Sequence, residues 1–153
     1  MSQPDGNLSY TRIGGWLILV AIGLVLSPVS ILLFISSDIL PAFSAVPLSE
    51  VSNEFRFYLY LDLALNLSLF VYIIFVIVLF FKRRTVTPKL VISLYILNLL
   101  FILADRLVFK SINESQWTFG IISGVASSLI WIPYFLISKR VKATFTVQKE
   151  EDD

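Results

Sequence analysis

The chain has 153 residues, 57% of them hydrophobic and 14% aromatic, with a formal net charge of +1 and a mean hydropathy of +0.84. Soluble domains carry roughly 45–50% apolar residues, so this composition places the chain in a membrane, and the near-neutral charge gives no reason to expect nucleic acid as a partner. Cys and His are both absent, which excludes disulfides, thiol redox chemistry, Cys/His metal sites, Ser-His-Asp triads and Cys-His nucleophiles, and with them the four-helix membrane enzymes that shuttle disulfides.

Met1 to Ser9 (MSQPDGNLS) is polar and contains Pro and Gly, the pattern of a disordered tail, here taken as a cytoplasmic segment over 1–12. From Ile13 to Ile35 the chain carries no charge and is long enough for a bilayer core, which needs about 20 residues. A secretory signal would have a shorter apolar stretch of about 7–15 residues behind a basic segment, so a retained first span is expected over 13–35. Pro28 removes one backbone donor and frees the Leu24 carbonyl. This predicts a bend, with Ser27 and Ser30 near enough to help satisfy that carbonyl. Ser36 to Phe57 holds Asp38, Glu50, Glu54, Arg56 and two prolines, and is expected as an outer loop lying on the membrane surface. A second span over 58–81 runs into Lys82-Arg83-Arg84, followed by a short basic turn around Pro88. A third span follows over 90–109, then a brief loop with Asn113, Glu114 and Trp117, then a fourth span over 120–138 and a tail over 139–153 too short to fold alone.

Nine of the twelve basic residues (Arg12, Lys82, Arg83, Arg84, Lys89, Lys139, Arg140, Lys142 and Lys149) fall on one side of these spans; Arg56, Arg106 and Lys110 fall towards the other. The excess of Lys and Arg on the cytoplasmic side of membrane proteins puts both termini inside. Trp16, Trp131 and Tyr134 then sit near the inner boundary and Trp117 near the outer, as interface anchors do. The basic rim attracts anionic lipid by about 1 kcal/mol per charge near the surface and serves mainly as a topology signal. Gly14-Gly15 is not a nucleotide loop, because no GKS or GKT follows it.

A charge near mid-membrane costs about 2.5–3.5 kcal/mol on insertion scales, so each one calls for a partner or a task. Asp62 and Asn66 lie one turn apart on the second span; Asn98 and Asp105, with Arg106 beside it, lie on the third. Rising ~1.5 Å per residue, Asp62 lies ~30 Å from the KRR boundary and Asp105 ~22 Å from Leu90, so the two sets are expected to converge in the outer leaflet. The fourth span places Gly120, Ser123, Gly124, Ser127, Ser128 and Trp131 on one stripe, with Ile121, Ile122, Val125, Leu129, Ile132 and Leu136 opposite. Gly120, Gly124 and Ser128 suit close helix packing, within the monomer or in a dimer, and Ser123 and Ser127 would offer hydroxyls to the cluster. The cluster is open to two explanations: an ion-pair network that fixes helix register, or a polar cavity that binds a lipid headgroup, ion or small solute. Paired aspartates also bring intramembrane aspartyl proteases to mind. Those enzymes carry a Tyr-Asp pair and a Gly-x-Gly-Asp motif, whereas Asp62 follows Leu61 and Asp105 follows Ile102-Leu103-Ala104.

The segments Tyr10-Thr11-Arg12-Ile13-Gly14-Gly15-Trp16-Leu17, Ser27-Pro28, Trp131-Ile132-Pro133-Tyr134-Phe135 and Ser138-Lys139-Arg140-Val141-Lys142-Ala143-Thr144-Phe145 resemble the bacterial inner-membrane proteins grouped as domain of unknown function 2569. The resemblance covers Tyr10 to Phe145 and implies a small multi-pass protein of the bacterial inner membrane with four helices, without implying an activity.

The expectation is therefore an all-α, four-helix transmembrane bundle, N-in and C-in. It is non-enzymatic and needs neither cofactor nor metal, and its partners are membrane lipids and either further copies of itself or another membrane protein. Its candidate binding cluster is Asp62, Asn66, Asn98, Asp105, Arg106, Ser123 and Ser127. A small oligomeric transporter or channel is the alternative, against which stands the absence of an acidic residue in the first span, where four-helix drug exporters usually carry one.

Overall fold

The structure, a computed structural model, describes residues 13–45, 52–108 and 114–146, without the side chains of 45, 105–108, 114–120 and 146. Every element among the described residues is helical, and there are five helices. Helix α1 runs over Trp16–Phe34, passes through one π-helical turn at Ile35–Ile39 and continues over Leu40–Ala45. Helices α2 (Asn53–Phe81), α3 (Thr87–Val108), α4 (Glu114–Ile137) and α5 (Lys139–Thr146) follow. The chain divides into two compact units, one from Leu19 to Val78 and one drawn from the flanks, up to Ile18 and from Leu79 onward.

Three helical stretches are long and apolar enough to cross a membrane: Trp16–Ser44, Asn53–Phe81 and Thr87–Ala104. A fourth is reached when Ile121–Ile137 and Lys139–Phe145 are taken together across their bend. Only 28%, 22% and 17% of the three apolar windows is buried. Such outward apolar surface suits lipid as the solvent, since soluble domains rarely expose large contiguous apolar patches. The minority that is buried repeats at helical spacing: Leu17, Val20, Leu24 and Pro28 on α1, and Leu69, Ile73, Val76 and Phe80 on α2.

The outer loop expected over Ser36–Phe57 is helical at both ends, because α1 reaches Ala45 and α2 starts at Asn53. The polar Ser36-Ser37-Asp38 does not end α1: both serine hydroxyls donate back to the Leu33 carbonyl, at 2.9 and 2.8 Å, and the backbone widens into the π turn. On the other side of this connection Phe43 packs on Tyr60, with ring centroids 5.2 Å apart. Pro28 lies inside α1, which stays helical on both sides of it. Ser27 and Ser30 do not reach the Leu24 carbonyl; they donate to Gly23 at 2.7 Å and Leu26 at 3.2 Å, because a helical serine hydroxyl reaches the carbonyl four residues back.

The turn between α2 and α3 is made by Arg83, not by Pro88. Arg83 takes φ 52°, with its N–H donating to the Phe80 carbonyl and the Arg84 N–H donating to Leu79, both at 3.1 Å. This is a Schellman closure with arginine at the position that usually holds glycine. Pro88 lies in the first turn of α3, where its missing N–H costs nothing. Thr87, fully buried, donates its hydroxyl to the same Leu79 carbonyl at 3.0 Å.

The tail expected over 139–153 is helical over its first eight residues. Val141, Thr144 and Phe145 are buried, Lys139 and Lys142 are exposed, and Phe145 packs on Phe80 at 5.5 Å. An eight-residue helix is marginal alone and holds here through its apolar edge. Its start is capped by Ser138, whose Oγ accepts from the Val141 N–H at 3.4 Å and whose carbonyl accepts from Lys142 at 3.2 Å. The 66° bend between α4 and α5 falls at this cap and not at Pro133, which stays inside α4.

Replacing Thr87 by Val keeps the shape of the side chain and removes the hydroxyl that holds the α2–α3 turn. The expected loss is about 1 kcal/mol of unfolding free energy, measurable by denaturant titration of the purified protein in mixed micelles.

Candidate functional site

The polar positions expected inside the spans lie on α2, α3 and α4. On α2 the Asn66 side-chain amide donates to the Asp62 carbonyl at 3.0 Å and to the Asp62 carboxylate at 2.8 Å, and both residues are half-buried. The one-turn spacing seen in the sequence thus closes on itself within one helix. Ser68, two residues further, donates to the Ala64 carbonyl at 2.7 Å. Asp105 and Arg106 lie on α3, but their side chains are outside the described residues, as is that of Trp117 on α4.

In the unit formed by the flanks, α3 and α4 pack side by side. Gly124 makes the close approach: a Cβ built there would lie 2.9 Å from Cδ1 of Ile102 and 3.9 Å from Oδ1 of Asn98. Ser128 is buried and Ser127 half-buried on the same helix, whereas Ser123 and Asn98 are exposed. On the opposite side of α4, Ile122 is 62% and Leu129 70% exposed, the side expected to meet lipid. Asn98 and Gly124 are therefore brought together, in a unit that does not contain Asp62 and Asn66.

A second constellation, at the end of the spans expected to face the cytoplasm, was not legible as a unit in the sequence. Gly15 takes φ +59° at the entry to α1, and a Cβ there would lie 2.7 Å from Nη1 of Arg140. The Gly15 carbonyl accepts from the Ile18 N–H at 3.0 Å, which opens the helix. Trp16 meets Trp131 edge to face at 6.4 Å, Trp131 meets Tyr134 at 5.8 Å, and Tyr134 meets Phe135 at 5.8 Å. Edge-to-face pairs add about 0.5–1.5 kcal/mol each beyond burial. Trp16, Trp131 and Tyr134, expected as separate interface anchors, thus form one ring series with Phe135, closed by an arginine lying on glycine backbone. An unexplained Gly-Gly at a helix entry was the available signal, since it marks a place where another group comes close to the main chain.

Among the described residues there is no group of three or more carboxylates that could hold a metal ion. The chemistry on offer is hydrogen bonding from amide and hydroxyl groups at depth, and cationic contacts at the boundary.

A family model described as protein of unknown function (DUF2569) matches residues 10–146. No curated protein matches the chain, and no solved structure does.

Two glycines test the geometry in opposite directions. Gly15→Ala meets both a left-handed backbone and the Arg140 guanidinium, and is expected to cost about 1–2 kcal/mol or more. Gly23→Ala has nothing within 4 Å of the new Cβ and sits inside α1, so it is expected to gain about 0.5–1 kcal/mol. Melting temperatures of the two variants in the same detergent decide both.

Proposed function

The chain belongs to the DUF2569 family, and from that premise we propose that it is a non-enzymatic, multi-pass protein of the bacterial inner membrane, N-in and C-in. Its task is to hold a partner transmembrane helix, from another membrane protein or a second copy of itself, against the α3/α4 face. The observation that carries this is Asn98: an exposed carboxamide beside the close approach at Gly124. Counting from Thr87, Asn98 lies ~16 Å along α3, near the middle of a ~30 Å core. A carboxamide at that depth has no water to bond to, and in membranes such groups bond across to neighbouring helices. The small residue at Gly124 lets α4 pack closely on α3 beside Asn98, and the exposed carboxamide is what the partner helix would meet.

A transporter would draw on Asp62 as its titrating group. Asp62 accepts from Asn66 one turn away, which supports a structural role for that pair; Asp105 would be the transporter's other titrating group. The inside location of both termini is supported by the nine-to-three division of basic residues described above.

Two experiments test these assignments. A photoreactive residue at position 98, irradiated in living cells, is expected to give discrete protein adducts, while the same residue at Leu129 gives lipid adducts alone. Lipid adducts alone at both positions would remove the partner helix, and Asn98→Leu is expected to weaken the association roughly threefold to tenfold. Because the chain has no cysteine, single cysteines report topology cleanly: one at Arg84 or Lys149 should resist an impermeant maleimide in intact spheroplasts, and one at Ser44 should react.

A further inference from the structure

The bend at Ser138 sends α5 away from the axis of α4 by 66° and opens a groove between α5, the last turn of α4 and the start of α3. The groove has a volume of about 300 Å³. Its floor is apolar, made by Phe135, Val141 and Phe145, all buried. Its rim is polar and basic: Thr85, Lys89 and Lys142 line it and are exposed. Pro88 lines it beside Lys89, and its remaining walls, Ile92 and Leu136, lead away from the lysines, Ile92 towards the exposed Ile96 one turn further along α3 and Leu136 onto outward surface that is 58% exposed.

We propose that this groove binds one anionic phospholipid. The phosphate sits between Lys89 and Lys142, with the Thr85 hydroxyl as a further donor. The glycerol and first methylenes cover Phe135 and Val141, and one acyl chain runs along Ile92 and Ile96. Charge complementarity selects the headgroup, because two ammonium groups at one rim match one phosphodiester whose net charge is not cancelled by a choline. Continuity selects a lipid over a soluble anion. The lining is mostly apolar and opens onto side chains that already face hydrocarbon, where a free phosphate gains nothing. The site is distinct from the Asn98 face and does not depend on a partner helix.

Native mass spectrometry of the full-length protein, offered equal amounts of phosphatidylglycerol and phosphatidylcholine, tests the proposal. The unaltered protein is expected to retain phosphatidylglycerol preferentially. Lys89→Gln with Lys142→Gln should reduce that preference on the order of twentyfold. Lys82→Gln with Arg84→Gln removes the same charge from the neighbouring turn, outside the groove, and should change it by less than about twofold. Ile92→Trp fills the groove with both lysines kept and should also lose the preference, while inorganic phosphate at millimolar concentration should not displace the lipid. Equal losses in the two double variants would reduce the effect to general surface charge and overturn the site. Full retention by Ile92→Trp, or displacement by phosphate, would overturn it as well.

Discussion

In hydrocarbon no water is present to take up a backbone N–H or C=O, so every interruption of a helix has to bring its own hydrogen-bonding groups. The places where this chain departs from regular α-helix come at the ends of its apolar runs, and there the freed carbonyls are met by groups of the chain itself. At the π turn of α1, two serine hydroxyls converge on the Leu33 carbonyl. At the end of α2, the Leu79 carbonyl accepts both the Arg84 N–H and the Thr87 hydroxyl. At the 66° break, Ser138 gives its N–H to Tyr134, accepts from Lys142 on its carbonyl and caps α5 with its side chain. Short hydroxyl side chains are therefore placed where the backbone changes course, and the apolar runs between them need no such help.

The spans themselves were legible because length and apolarity are properties of a local window. Their ends were less so. Ser36-Ser37-Asp38 reads as the start of a loop when polarity alone is weighed, yet serines that bond back to their own helix let it continue to Ala45. Lys139 to Phe145 reads as a basic tail until its two kinds of residue are placed on a helix, where Val141, Thr144 and Phe145 form one buried edge. Arg83 was invisible as a turn residue, since propensity would put glycine or asparagine in its left-handed position.

The candidate sites divide in the same way. Asp62 and Asn66 were legible as a pair because four residues of spacing suffices to bring them together in any helix. Asn98 and Gly124 could be named individually, but their meeting depends on the register between α3 and α4, which no local pattern encodes. The contact between Gly15 and Arg140 is further still from local, joining the entry of the first helix to the last one. Such pairs are set by tertiary packing, and the sequence offers only the small residue that permits them.

That last contact has a consequence in time. The unit to which it belongs takes its residues from two separate stretches, up to Ile18 and from Leu79 onward, and Arg140 leaves a ribosome long after Gly15. The stretch from Leu19 to Val78 is complete long before, and lies in the bilayer while the rest is still being made. Until α5 emerges, the left-handed glycine at position 15 lacks the Arg140 side chain that lies against it. Birth order therefore makes a late segment the latch for an early one, and a chain released before Arg140 would carry the entry of α1 unfastened.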